Sequence, residues 1–295
     1  MTSRGWRWFG IATLLAGAAL VMPACRAEQL AIGEGRSLFM ACAGTGGPTV
    51  ILESGWAADH QVWATVQAEL ARITRTCSYD RAGTGRSPPG PLHRTPGAIA
   101  SDLLGAVQAA GILDDLIIVG HSIGAVYARA VARLAGGRAV GLVLVDPTVE
   151  AMAPEGLAPF IANAEACLSA VSSRQSLPKD GTLARCAVRP TEKPVQTWRH
   201  RVSELQNLFP PEDDPAIDRK RGPVRVEVLS AGQDSETIGG KWRTAQHEAL
   251  ARRFVAGGHR VVGASGHMMM QDAPAEIVEA TKALVLDMRS RTVPR

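Results

Sequence analysis

The chain has 295 residues, 46% of them apolar and 4% aromatic, and a formal net charge of +4. That composition allows a sizeable core in one large domain and excludes a nucleic-acid binder built on aromatic stacking platforms. The first 27 residues carry Arg4, Arg7 and Arg26 and no acidic residue, so their removal lowers +4 to +1, and charge gives no reason to expect a nucleic-acid partner.

Residues 1–27 read as a secretory signal. Arg4 and Arg7 precede the apolar run from Phe9 to Met22, which is short for a membrane span. Pro23 breaks the run, and the small residues before Glu28 place cleavage after Ala27. The alternatives are an uncleaved anchor or a lipid on Cys25, and Met22-Pro23 fits poorly before a lipidated cysteine. No later segment is long and apolar enough to span a bilayer. An exported chain, periplasmic or secreted, is therefore expected. Beyond the signal, Cys42, Cys77, Cys167 and Cys186 remain. An even number in an exported chain points to disulfides, and counting alone allows three pairings.

Two strands meet at Gly33-Glu34-Gly35, a hairpin signal. The run Pro48 to Gly55 is continuously apolar at its centre, as in a strand buried on both faces. Helical spacing follows from about Val62 to Ala71, then a strand ending at Asp80. A Gly- and Pro-rich loop runs from Arg81 to Pro96, which opens a helix closed by Gly111. Leu116 to Ser122 is a further buried strand, followed by a helix from about Ile123 to Leu134 and a strand ending at Asp146. Such alternation predicts an α/β protein with a mostly parallel, doubly wound sheet. The pattern breaks after Pro147. Residues 148–222 hold many prolines and helix-like pieces and no clear buried strand, the signature of an inserted, mainly helical cap. The core, residues 28–147, resumes over 223–295 with a strand over Val224–Gly232, a helix at about Lys241–Phe254, a strand over Arg260–Gly266, and a last helix from Ala273.

Gly120-His121-Ser122-Ile123-Gly124 sits between a strand and a helix. A serine hydroxyl is a weak nucleophile, so it must project from a sharp turn beside a base, and the turn needs small flanking residues. Gly120 and Gly124 meet that need. His267 is the candidate base, in a loop at the sheet edge where Ser122 also falls. His121 should point elsewhere, and His247 and Glu248 read as a solvated helix face. The base needs an acid, and chain order admits both Asp146 and Asp234. Asp234 follows a short Gly-containing loop that can aim its carboxylate. Asp146 leads straight into Pro147. Oxyanion donors are expected from the backbone of Ile123 and of Trp56, beside Gly55.

The motifs "PTVILESGW", "YDRAGTGRS", "GHSIG", "GLVLVDP", the aspartate of "SAGQD" and "GASGHMMMQDAP", in that order, closely resemble the capped serine-hydrolase, esterase-like branch of the α/β-hydrolase superfamily. The likeness covers nearly all of residues 28–290. It implies Ser122 as nucleophile, His267 as base, Asp234 as acid, and Ile123 and Trp56 as oxyanion donors. It also places the strand of Cys42 beside that of Cys77, and Cys167 and Cys186 together in the cap, which implies those two disulfides. The Tyr79–Ser87 run should be structural, with Asp80 and Arg81 tying down the turn. Ser54-Gly55 stands where the family often has His-Gly, and Ala125 follows Gly124 where a second glycine is frequent. Neither change touches the triad.

The chemistry expected is acyl transfer from a small ester to water, with no metal and no organic cofactor. Amidases, small peptidases, thioesterases and acyltransferases share the triad, and a non-catalytic binding protein could share the scaffold. Serine at position 122 argues against the branches that use an aspartate nucleophile. In the cap, Trp198, Leu205, Leu208 and Phe209 read chiefly as its own core, and Arg199-His200-Arg201 as a solvated face.

Overall fold

The structure is a computed structural model, and it describes residues 26–152, 156–190, 192–209 and 224–292. The signal and most of its cleavage region lie outside these residues. So does part of the expected cap, residues 153–155, 191 and 210–222.

Eight strands form one sheet: β1 Arg26–Gly33, β2 Arg36–Ala43, β3 Thr49–Glu53, β4 Thr76–Tyr79, β5 Leu116–His121, β6 Ala139–Val145, β7 Arg225–Ala231 and β8 Ala256–Val262. Their spatial order is β1-β2-β4-β3-β5-β6-β7-β8. The pairs β1/β2 and β2/β4 are antiparallel. The remaining pairs are parallel. The doubly wound sheet expected from the sequence is therefore present. One boundary moves: the last strand runs over Ala256–Val262 rather than Arg260–Gly266, because its ladder with β7 begins at Arg225↔Ala256.

The continuously apolar strands are explained by two-sided burial. In β5, Leu116 and Ile118 enter one core cluster, which also holds Leu103 and Val107 of α2 (Pro96–Ala109), Val131 of α3 (Gly124–Leu134) and Leu250 of α6 (Ile238–Arg252). Ile117 and Val119 enter the cluster on the opposite face, with Val66 and Leu70 of α1 (Ala64–Leu70) and Ile277 and Val285 of α8 (Pro274–Thr292). Successive strand side chains point to opposite faces, so a strand covered on both sides needs apolar residues at every position. Truncating one of these leucines or isoleucines to alanine should cost about 2–5 kcal/mol.

Between β6 and β7 lie α4 (Ala158–Ser172) and α5 (Pro194–Gln206) and no strand among the described residues. The disulfide Cys167–Cys186 joins α4 to the short turn before α5. The other disulfide, Cys42–Cys77, links residues directly opposite each other on β2 and β4. Both pairs are those implied by the resemblance. Trp198, Leu205 and Cys167 share a small core of the segment between β6 and β7, whereas Leu208 and Phe209 pack with Ile123 and Tyr127 of α3 and the turn before it. The expected solvated face over 199–201 needs correction. Arg199 is exposed. His200 is buried with its ring on the Gly90 and Gln196 carbonyls, and Arg201 is buried over the Trp198 ring. In α5 the charged residues sit among buried positions because the helix packs on α4 on one side and is hydrogen-bonded to Arg81, Gly90 and Arg94 on the other.

Candidate active site

Ser122 occupies the turn between β5 and α3 with φ of 54°, a left-handed conformation that costs a non-glycine residue about 1 kcal/mol or more. The surrounding structure holds it there. Its N–H donates to the Val145 carbonyl at the end of the adjacent strand, and its carbonyl accepts from Thr148 and Ala125. The flanking glycines are required by close approach: a Cβ on Gly120 would lie 2.5 Å from the Gly124 carbonyl oxygen, and one on Gly124 would lie 2.6 Å from that of Ser54.

His267 lies in the loop between β8 and α7 (Met269–Asp272). Its Nδ1 sits 2.6 Å from Asp146 Oδ2. The expected pairing with Asp234 is therefore corrected. Asp146 follows β6 directly, with φ of 40°. Its amide donates to Leu229 O, and its Oδ1 accepts from the Ala231 amide of β7 at 3.0 Å. It is thus anchored to the neighbouring strand and aimed across the sheet edge. Asp234 stands three residues past the end of β7, exposed, and its carboxylate has no hydrogen-bond partner among the described residues. Its turn bonds through the backbone carbonyl instead, to Thr237. Burial alone would raise the Asp146 carboxyl, but the hydrogen bonds from His267 and the Ala231 amide outweigh it and hold the group below the usual carboxylate range.

Two further histidines belong to the site, and the sequence reading missed both. His121 Nε2 donates to the His267 backbone carbonyl at 2.8 Å, and the two rings lie 4.6 Å apart. His121 does point away from Ser122, as expected, but toward the loop that carries His267. Burial, then the neighbouring His267, lowers its pKa to about 4, so it is a neutral donor. His247, read as solvated, is fully buried. It donates from Nε2 to the Pro147 carbonyl, and its Nδ1 accepts from Ser230, whose hydroxyl in turn meets His259 Nε2. Burial lowers the His247 pKa to about 4. Its helix periodicity was the available signal: His247 shares a face with Leu250 and Ala251, both buried.

Ser122, Ile123, Trp56, Asp146, Asp234 and His267 all line one cavity of about 620 Å³. Its other walls are largely apolar, from Met152, Leu157 and Phe160 of the insertion to Trp242 and Met268 of the core. The backbone N–H groups of Ile123 and Trp56 have no hydrogen-bond acceptor among the described residues. Thr148, also unforeseen, places its hydroxyl 3.5 Å from Ser122 Oγ. Asp59, His60 and Asp80 form a cluster that could in principle ligate a cation. Protein donors already occupy it, since Asp80 accepts from His60 and the Arg86 amide, and Asp59 pairs with Arg189.

The alpha/beta hydrolase family model matches residues 42–280, and the chain belongs to that family. Over 107 residues it is 35% identical to an AB hydrolase superfamily protein of Gibberella zeae, covering 35% of this chain and 33% of that one. Over 106 residues it is 29% identical to the uncharacterised protein YqjL of Bacillus subtilis (strain 168), covering 36% and 42%. It therefore spans less than half the length of either curated relative. Among solved structures it resembles a thermophilic esterase from Thermogutta terrifontis (TM-score 0.66, 21% identity, covering 88% of this chain and 97% of that one). It also resembles a lipase-like protein, lip1, from Acinetobacter baumannii AYE (TM-score 0.65, 16% identity, covering 91% and 93%). At these identities the likeness is one of fold.

Proposed function

We propose that the protein is an exported serine hydrolase that cleaves small esters through an acyl-enzyme. Ser122 is the nucleophile, His267 the base, Asp146 the acid, and the Ile123 and Trp56 amides the oxyanion donors. The observation that carries this reading is a strained serine elbow and a carboxylate-held histidine opening into one apolar cavity. Two disulfides among the described residues fit an oxidising compartment, and with them a signal cleaved after Ala27.

Ser122 Oγ rests toward Thr148. Attack requires Oγ to turn from Thr148 toward His267 Nε2, which takes its proton as Oγ bonds to the substrate carbonyl carbon. The negative oxygen is then received by the Ile123 and Trp56 amides, neither of which has another acceptor among the described residues. His267, now imidazolium and held by Asp146, protonates the departing alcohol. Water, deprotonated by His267, attacks the acyl carbon, and His267 passes that proton to Ser122 Oγ as the acyl bond breaks, releasing the acid and the free serine. No step calls for a metal or an organic cofactor. The apolar walls favour a substrate whose acyl or alkyl part is uncharged. Incubation with a fluorophosphonate probe, then peptide mass analysis, should find the adduct on Ser122; labelling elsewhere, or none, refutes the assignment.

A further inference from the structure

Arg81, buried to 2% exposure, uses every one of its five donors. Nε and Nη2 form a fork on Glu204 of α5, at 2.9 and 3.1 Å from its two carboxylate oxygens. Nη1 reaches Glu53 Oε1 and the Ser54 carbonyl, both at 2.7 Å. Nη2 also reaches the Gly55 carbonyl at 2.9 Å. The last bond matters most. The Gly55 carbonyl and the Trp56 N–H belong to one planar peptide unit, so fixing the carbonyl fixes the direction of the amide. A second tie runs between the same two elements: Trp56 Nε1 donates to the Arg201 carbonyl of α5 at 3.0 Å.

We infer that Arg81 is the positioning residue of the oxyanion loop, and that α5 of the β6–β7 insertion, through Glu204, is part of the oxyanion machinery. The inference rests on the proposed donor role of the Trp56 amide. Arg81 thus does more than close its own turn, the role expected from its motif. A planar fork is needed because one guanidinium must hold two backbone carbonyls and two carboxylates in fixed directions, which a lysine ammonium cannot do. The insertion is therefore coupled to catalysis as well as to substrate fit. A shift of α5 would turn the Trp56 amide away from the developing charge.

The test uses the full mature protein, with Arg81→Lys and Glu204→Gln compared against wild type on a short p-nitrophenyl ester. The second variant keeps the shape of the clamp should the first fail to fold. Turnover by wild type and its loss in Ser122→Ala establish the underlying reading separately. An alkyl trifluoromethyl ketone, which gives a tetrahedral oxyanion on the serine, reports the oxyanion site directly. Arg81→Lys should lower kcat at least tenfold and Glu204→Gln about three- to tenfold, with KM within twofold. Each should lose ketone affinity by a matching factor. The inference is overturned if a folded variant keeps kcat and ketone affinity within twofold of wild type, or if its loss is carried by KM with ketone affinity unchanged.

Discussion

Asp146 and His267 meet at 2.6 Å although 121 residues separate them in the chain. The contact exists because β6 and β8 lie either side of β7 and all three run parallel. Loops after their C-terminal ends therefore gather at one edge. Substitution separates the two aspartates. Asp146→Asn should lower kcat about 10⁴-fold, because the imidazole loses the partner that fixes its tautomer and stabilises its charge. Asp234→Asn should change kcat by less than about threefold. Steady-state kinetics of both variants decide the matter, and the reverse ranking returns the acid role to Asp234.

His121 should act through the His267 loop. His121→Ala removes the donor to the His267 carbonyl and frees the proposed base to wander. Small misplacements of a catalytic group are costly, so kcat should fall about five- to thirtyfold, with labelling of Ser122 slowed in parallel. Unchanged kcat would show that the loop is held by other contacts.

The buried histidines predict acid sensitivity. His121 and His247 have folded-state pKa values of about 4, depressed from 6.5. The unfolded chain binds more protons than the folded one between those values, so stability falls as pH drops from about 6.5 to about 4. Each imidazole contributes at most about 3 kcal/mol to that slope. Asp146 adds a further loss at lower pH, since its folded pKa lies below 3.8 and its stabilisation disappears as pH falls from there through the folded value. Thermal melts from pH 7 to pH 4 should decline steadily for wild type and less steeply for His247→Asn. A flat wild-type profile over that range contradicts the buried neutral assignment.

Unreduced, denatured protein lacking the signal should show no free thiol, as expected from the two bridges. Replacing either pair by serine should cost about 2–4 kcal/mol, measured by urea unfolding. Four free thiols would remove the disulfides and, with them, the main structural support for export.

Much of this architecture is legible in the sequence where one physical rule acts alone. Continuous apolar runs such as Leu116–Val119 require two-sided burial, and that fixes the strands and the sheet type. Gly120 and Gly124 mark the elbow because only a missing Cβ fits there. The misreadings occur where tertiary contacts decide. Asp146 and Asp234 both follow strands in the right chain order. Only the ladder between β6 and β7 reveals that Asp146 is pinned by the Ala231 amide while Asp234 faces solvent. His200 and His247 are polar residues on helices, and nothing local says that their backbone acceptors, Gly90 and Pro147, lie 110 and 100 residues away. The role of Arg81 depends likewise on Glu204, 123 residues distant.

The most direct test of the proposed chemistry is the turnover of a short p-nitrophenyl ester by wild type and by Ser122→Ala, with circular dichroism and melting temperature as controls. A loss of at least about 10⁴-fold in kcat with the fold retained is the result expected. Wild-type turnover that survives in the folded Ser122→Ala protein would contradict the assignment of Ser122 as the nucleophile.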